Sequence, residues 1–177
     1  MQLKSQSTPS LNPPNQDESS EHKSARKALE LALWYLSKSA RTQKEIEDRL
    51  GRKEYSPDDI KYAIGRLKTL EFIDDAKYAE SFIRNAKLGK PKGKHRIRLE
   101  LIRKGVDKEL IEQALEGGFG EDEQEELINS AAKSYLKKCA SLPKEKIYNR
   151  LMGFLLRRGF DYDKVSRYVK ALLKEQG

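Results

Sequence analysis

The chain has 177 residues, 37% hydrophobic and 36% charged, with 36 Lys and Arg against 28 Asp and Glu and a net charge of +8. Near-equal apolar and charged shares disfavour one large core and suit a stack of helices with much surface per unit of interior, and the basic surplus favours a polyanionic partner. The lone cysteine, Cys139, rules out an internal disulfide; no apolar run reaches bilayer length and no secretory signal opens the chain, so a cytoplasmic protein is expected.

Residues 1–22 are rich in Ser, Gln, Asn and Pro and are predicted to be a disordered tail. From Lys23 the pattern is helical. Ala25, Ala28, Leu29, Ala32, Leu33 and Leu36 recur at spacings of three and four, which places them on one face. Thr42 and Glu45 form a capping box that starts a second helix running to about Arg52. Ser56-Pro57 starts a third, with Ile60, Ala63, Ile64, Leu67 and Leu70 as its stripe. Asp74 caps the next helix. The stretch 87–95, with two glycines and a proline, interrupts the pattern before a helix over about 94–104. Asp107 caps another, and Gly117, Gly118 and Gly120 form a joint. Helices over about 122–139 and 144–158 follow, and a last one begins at Asp161. No segment alternates with period two, so no sheet is expected.

Three stretches align without gaps, at 52–60, 103–111 and 157–165. Each has two basic residues, then Glu54, Gly105 or Gly159, an apolar residue, a capping residue, an acid and an aliphatic. This is a helix stop and restart: basic groups suit the negative end of the outgoing helix and glycine suits a left-handed C-terminal turn. Glu54 in place of glycine predicts a less tight first corner. The expected fold is all-α, three tandem three-helix repeats in an elongated, curved array. The repeats are placed at 23–72, 73–119 and 120–177.

The strongest charge signal is Arg84, Lys87, Lys90, Lys92, Lys94, Arg96, Arg98, Arg103 and Lys104 against Glu100 alone. A lysine-glycine-proline loop feeding a basic helix can follow a phosphate backbone. A second, more diffuse region includes Lys137, Lys138, Arg150, Arg157 and Arg158, and these two groups are the candidate contacts for a partner or DNA. The acidic run at Glu121–Glu126 suits a helix start. Asp74 and Asp75 read as caps rather than an acid–base pair, and Trp34 and Tyr78 as packing residues. His22, His95 and Cys139 do not make a zinc site, and neither a phosphate-binding glycine loop nor a nucleophile triad is present. No catalytic residue, metal or cofactor is therefore expected.

Ile73-Asp74-Asp75-Ala76-Lys77-Tyr78-Ala79 resembles the Leu-Asp-Asp-x-x-Tyr-Ala element of the RecX family. Arg84, Gly89, Gly93, Arg96, Leu99, Leu101, Lys104, Gly105 and Val106 follow at similar spacing, and Leu36, Arg41, Thr42, Glu45 and Leu50 resemble the family's first repeat. The resemblance covers about residues 24–175. It implies three three-helix repeats and a non-enzymatic, monomeric regulator, usually an inhibitor, that binds the RecA recombinase filament and modulates its ATP hydrolysis and DNA strand exchange. Weak, non-specific contact with single- or double-stranded DNA is also expected. A rival expectation is a helix-turn-helix DNA-binding protein acting without RecA, with helix 107–117 as reader. Asp107, Glu109 and Glu112 make that helix acidic and weigh against it.

Overall fold

A computed structural model describes residues 16–137 and 142–175. Among these residues there are helices and no strands, in the order α1 (Gln16–Lys38), α2 (Gln43–Gly51), α3 (Pro57–Thr69), α4 (Asp75–Ala86), α5 (Lys94–Arg103), α6 (Lys108–Gly118), α7 (Glu121–Leu136), α8 (Lys144–Arg157) and α9 (Tyr162–Glu175). They form three consecutive three-helix units. Helix α1 begins inside the stretch read as tail, because extending an already nucleated helix costs little per residue. Residues 1–15 lie outside the described residues, as do Lys138 and Cys139.

The expected caps form. Thr42 Oγ1 accepts from Glu45 N–H at 3.2 Å while Glu45 Oε2 accepts from Thr42 N–H at 3.2 Å. Ser56 accepts from Asp59 N–H at 3.1 Å with Pro57 behind it, Asp74 from Lys77 N–H at 2.9 Å, and Asp107 from Glu109 N–H at 2.8 Å. Each satisfies an amide that a helix start leaves without an internal partner.

The three aligned corners share one geometry. The carbonyls of Leu50, Leu101 and Leu155 accept from the N–H groups of Tyr55, Val106 and Phe160, and Glu54, Gly105 and Gly159 stand at φ 61°, 78° and 83°. Val106 and Phe160 are buried beneath their corners, and Tyr55 is half-buried. The expectation of a looser first corner is therefore corrected: Glu54 adopts the same left-handed turn as the two glycines.

Glycine is needed at the other two corners for a second reason. A Cβ on Gly159 would run into the backbone of Arg96, and one on Gly105 would run into the Lys44 side chain. Gly93, the N-cap of α5, is pressed against Gly159 from the other side. Glu54, by contrast, is exposed.

Two apolar clusters fill the interior. Ala28, Ala32, Ile46, Leu50, Ala63, Ile64, Leu67 and Ile73 form the core of the first unit. The second and third units share a single core that runs from Ala79 and Ile83 through Leu101 and Ile111 to Leu151, Leu155 and Val169. The first unit is thus joined to the second mainly by polar contacts, and the second to the third by continuous burial as well. Trp34, expected in packing, is 54% exposed, with Lys38 over its ring; Tyr78 does pack, stacked on Phe82.

Substitution at the corners separates conformation from close approach. Gly159→Ala is expected to lower stability by more than about 2 kcal/mol, since a strained φ is added to a backbone clash. Gly105→Ala costs less, because the Lys44 side chain can yield. Glu54→Gly leaves the melting temperature unchanged or raised. Denaturant unfolding of the three variants tests the order.

Candidate functional site

The units meet by one repeated joint, in which the start of the middle helix of one unit is set against the corner of the next. Between the first and second units, Thr42 Oγ1 donates to the Lys104 carbonyl at 2.6 Å. Between the second and third, Gly93 N–H donates to the Arg158 carbonyl at 2.9 Å and His95 N–H to the Gly159 carbonyl at 3.1 Å. At the second joint free amides at the positive end of α5 thereby meet free carbonyls at the negative end of α8, whereas at the first the Thr42 hydroxyl reaches the carbonyl at the end of α5.

The Asp-Asp-x-x-Tyr element serves the first joint. Asp74 caps its own helix, but Asp75 Oδ1 accepts from Gln43 N–H at 2.9 Å, across the joint at the start of α2. Lys104 Nζ bonds Glu45 Oε1 at 2.9 Å and lies 5.4 Å from the Tyr78 ring centre. Burial pushes Glu45 up, yet Lys104 and the Thr42 amide outweigh it and hold the carboxyl below its usual range. Burial is the main cause of the opposite shift at Asp75, which is raised.

The basic stretch 84–104 changes character once folded, because other segments bring acids to it. Lys87 pairs with Glu123 at 2.7 Å, Lys92 and Arg96 with Glu100 at 2.6 and 2.7 Å, and Lys104 with Glu45. Arg98 grips Glu112 with two bonds of 2.6 and 2.7 Å. Five of the nine basic residues of that stretch are thus ion-paired in the folded chain, Arg96 with a carboxylate of its own helix. Counting charge along the chain missed Glu45, Glu112 and Glu123, which lie in other helices.

Arg84 bonds only Ser81, Lys94 rests over Phe119, and Lys90, Arg103, Lys137, Arg150 and Arg157 are exposed with no ion pair among the described residues. Arg158 Nη1 donates to the Lys90 carbonyl at 2.8 Å and its guanidinium lies over Phe154. Lys138 lies outside the described residues.

Two groups that are far apart in sequence are brought together here. Lys92, Arg96, Phe154, Arg157 and Arg158 line a shallow cleft of about 410 Å³ at the second joint, with Glu100 as its acid, and the Arg158 bond places the Lys90 segment beside it. Arg157 also occupies the position of Arg52 and Arg103 in the aligned corners, and all three are exposed and free of ion pairs among the described residues. Arg52 was absent from the candidate contacts. The corner alignment is the signal that finds it.

Family models for RecX match three consecutive stretches: its first three-helix domain over residues 28–67, its second over 74–115 and its third over 121–169. The chain belongs to the RecX family. It is 38% identical over 146 residues to a "Regulatory protein RecX" of Clostridium botulinum, covering 81% of this chain and 68% of that protein. It is 34% identical over 149 residues to the one of Chlorobaculum tepidum, covering 84% and 90%. The crystal structure of RecX from Lactobacillus salivarius superposes with a TM-score of 0.76 at 31% identity, over 86% of this chain and 98% of that one. A second RecX crystal structure gives 0.82 at 25% identity, over 92% and 80%. These proteins are named as regulators. Among the described residues no cluster of potential metal ligands occurs, and no helix is long and apolar enough to cross a membrane.

The joint acids set the pH response. Glu45 and Glu100 have carboxyls held below the ordinary range in the folded chain, so their contribution is complete above the ordinary glutamate value and fades as pH falls through the lower folded value. Asp75 runs the other way and softens the loss, since the folded chain takes up its proton first. Melting temperature should therefore drop between about pH 5 and pH 3. Glu45→Gln should melt lower at neutral pH and lose part of that dependence.

Proposed function

We propose that the protein regulates the RecA recombinase by lying along the RecA–DNA filament, and that it lowers ATP hydrolysis and strand exchange as a cytoplasmic monomer. The observation that carries this reading is the row of Arg52, Arg103 and Arg157, one exposed arginine at the same place in each unit, within a chain of the RecX family. A filament repeats its surface at fixed intervals. A ligand with a charge at each of its own repeats gains effective concentration from linked contacts. The cleft at the second joint adds positive charge suited to phosphates or carboxylates.

The helix-turn-helix alternative finds less support. Helix α6 exposes Glu109, Glu112 and Glu116, and Glu112 already holds Arg98, so the helix that would enter the groove presents negative charge to the duplex.

Addition of the protein in stoichiometric amount should depress RecA ATP hydrolysis on single-stranded DNA; an unchanged rate would count against the reading. Joint reversal of Arg103 and Arg157 to Glu should weaken the effect about tenfold or more, with a lower salt dependence and an unchanged melting temperature. Arg98→Glu should instead lower the melting temperature, because it removes the partner of Glu112.

A further inference from the structure

The second joint carries the basic cleft; the first carries something different. Arg41, just before α2, lines a cleft of about 390 Å³ together with Phe72, Tyr78, Phe82 and Ser81. Its Nε is shut off from solvent and has no hydrogen-bond partner. Glu45 feels its charge, but both Glu45 oxygens are engaged, one by Lys104 and the other by the Thr42 amide. A buried donor without an acceptor is uncommon in a folded protein. Beside it, Phe72 is 56% exposed although its own N–H is fixed to the Leu67 carbonyl at the α3 corner. The Tyr78 and Phe82 rings, stacked with centres 6.2 Å apart, make the facing wall.

We propose that this cleft receives a short segment of the protein partner in which an apolar or aromatic side chain stands next to a single carboxylate. The carboxylate pairs with the half-buried Arg41 side chain where it lines the cleft, a planar donor suited to such a group, and the apolar side chain covers Phe72 and the Tyr78–Phe82 wall. The charges at the rim favour a peptide over a nucleic acid. Glu71 and Asp74 both line the cleft, held by Lys77 at 3.7 and 3.3 Å. A strand with a phosphate at every nucleotide would set further negative charge against these acids, whereas a peptide brings one anion to the one guanidinium that lines the cleft. Lys92, which lines the basic cleft, lies 5.7 Å from the centre of the Phe82 ring that walls this one, so the two clefts adjoin.

The assignment rests on the recombinase reading and names a second point of attachment within it. Arg41→Gln and Phe72→Ser, made separately in the full chain, are to be measured for binding to RecA, both free and assembled on single-stranded DNA, and to a poly-dT oligonucleotide. Each should weaken RecA binding about tenfold and leave oligonucleotide binding unchanged. Phe72→Ser should also keep the wild-type melting temperature, because its ring is largely in solvent. If the wild-type chain binds RecA and both variants bind equally well, the cleft assignment is wrong and the recombinase reading stands. Weaker oligonucleotide binding by either variant would assign the cleft to nucleic acid and overturn the peptide. If the wild-type chain binds neither form of RecA, the recombinase reading and the cleft assignment fall together.

Discussion

Every junction in this chain depends on one arrangement, the exposed amides of a helix start set against the exposed carbonyls of another helix's end. Neither set has a partner within its own helix, and leaving either buried and unpaired would be costly. Bringing α5 to the α8 corner satisfies both at once, while at the α5 corner the Thr42 hydroxyl takes the Lys104 carbonyl and Asp75 takes the Gln43 amide. The chemistry of the surrounding residues follows from that contact. Thr42 carries a hydroxyl because it must accept from Glu45 N–H and donate to the Lys104 carbonyl together. Gly93 and Gly159 lack side chains because two backbones touch there.

The same contact explains where the charge goes. Corner positions favour basic residues, since they lie at the negative end of a helix, and each joint then brings an acid or a carbonyl within reach of one of them. Lys104 turns inward to Glu45, and Arg158 turns to the Lys90 and Pro91 carbonyls. The preceding residue of each pair, Arg103 or Arg157, faces outward. One basic residue of each of these two corners is therefore structural and the other is available to a partner. A stretch that reads as uniformly basic is thus a mixture of struts and contacts.

Local signals carried most of the architecture. Thr42, Ser56, Asp74 and Asp107 announce their helices because a cap acts on amides only two or three residues away, and the corner alignment reveals the threefold repetition for the same reason. The joints were not legible, since Asp75 bonding Gln43 or Glu45 bonding Lys104 requires knowing which helices become neighbours. The candidate contacts suffered most from this. A net charge summed along the chain cannot see a carboxylate that arrives from another unit. Arg52 and Arg41, present in the corner alignment and in the family motif, were not among the candidate contacts: the first is marked as one only by its equivalence to Arg103 and Arg157, and the second only by what fails to reach it after folding.

The corner at Glu54 has the turn of its two counterparts but not their bareness. At Gly105 and Gly159 the absent side chain is what allows a preceding unit to seat; at Glu54 a carboxylate-bearing chain stands in that seat. A copy of the molecule presenting its own helix start to this corner would meet that side chain before backbone met backbone. The left-handed turn therefore does not by itself demand glycine; what demands it is the close approach of a preceding unit's helix start.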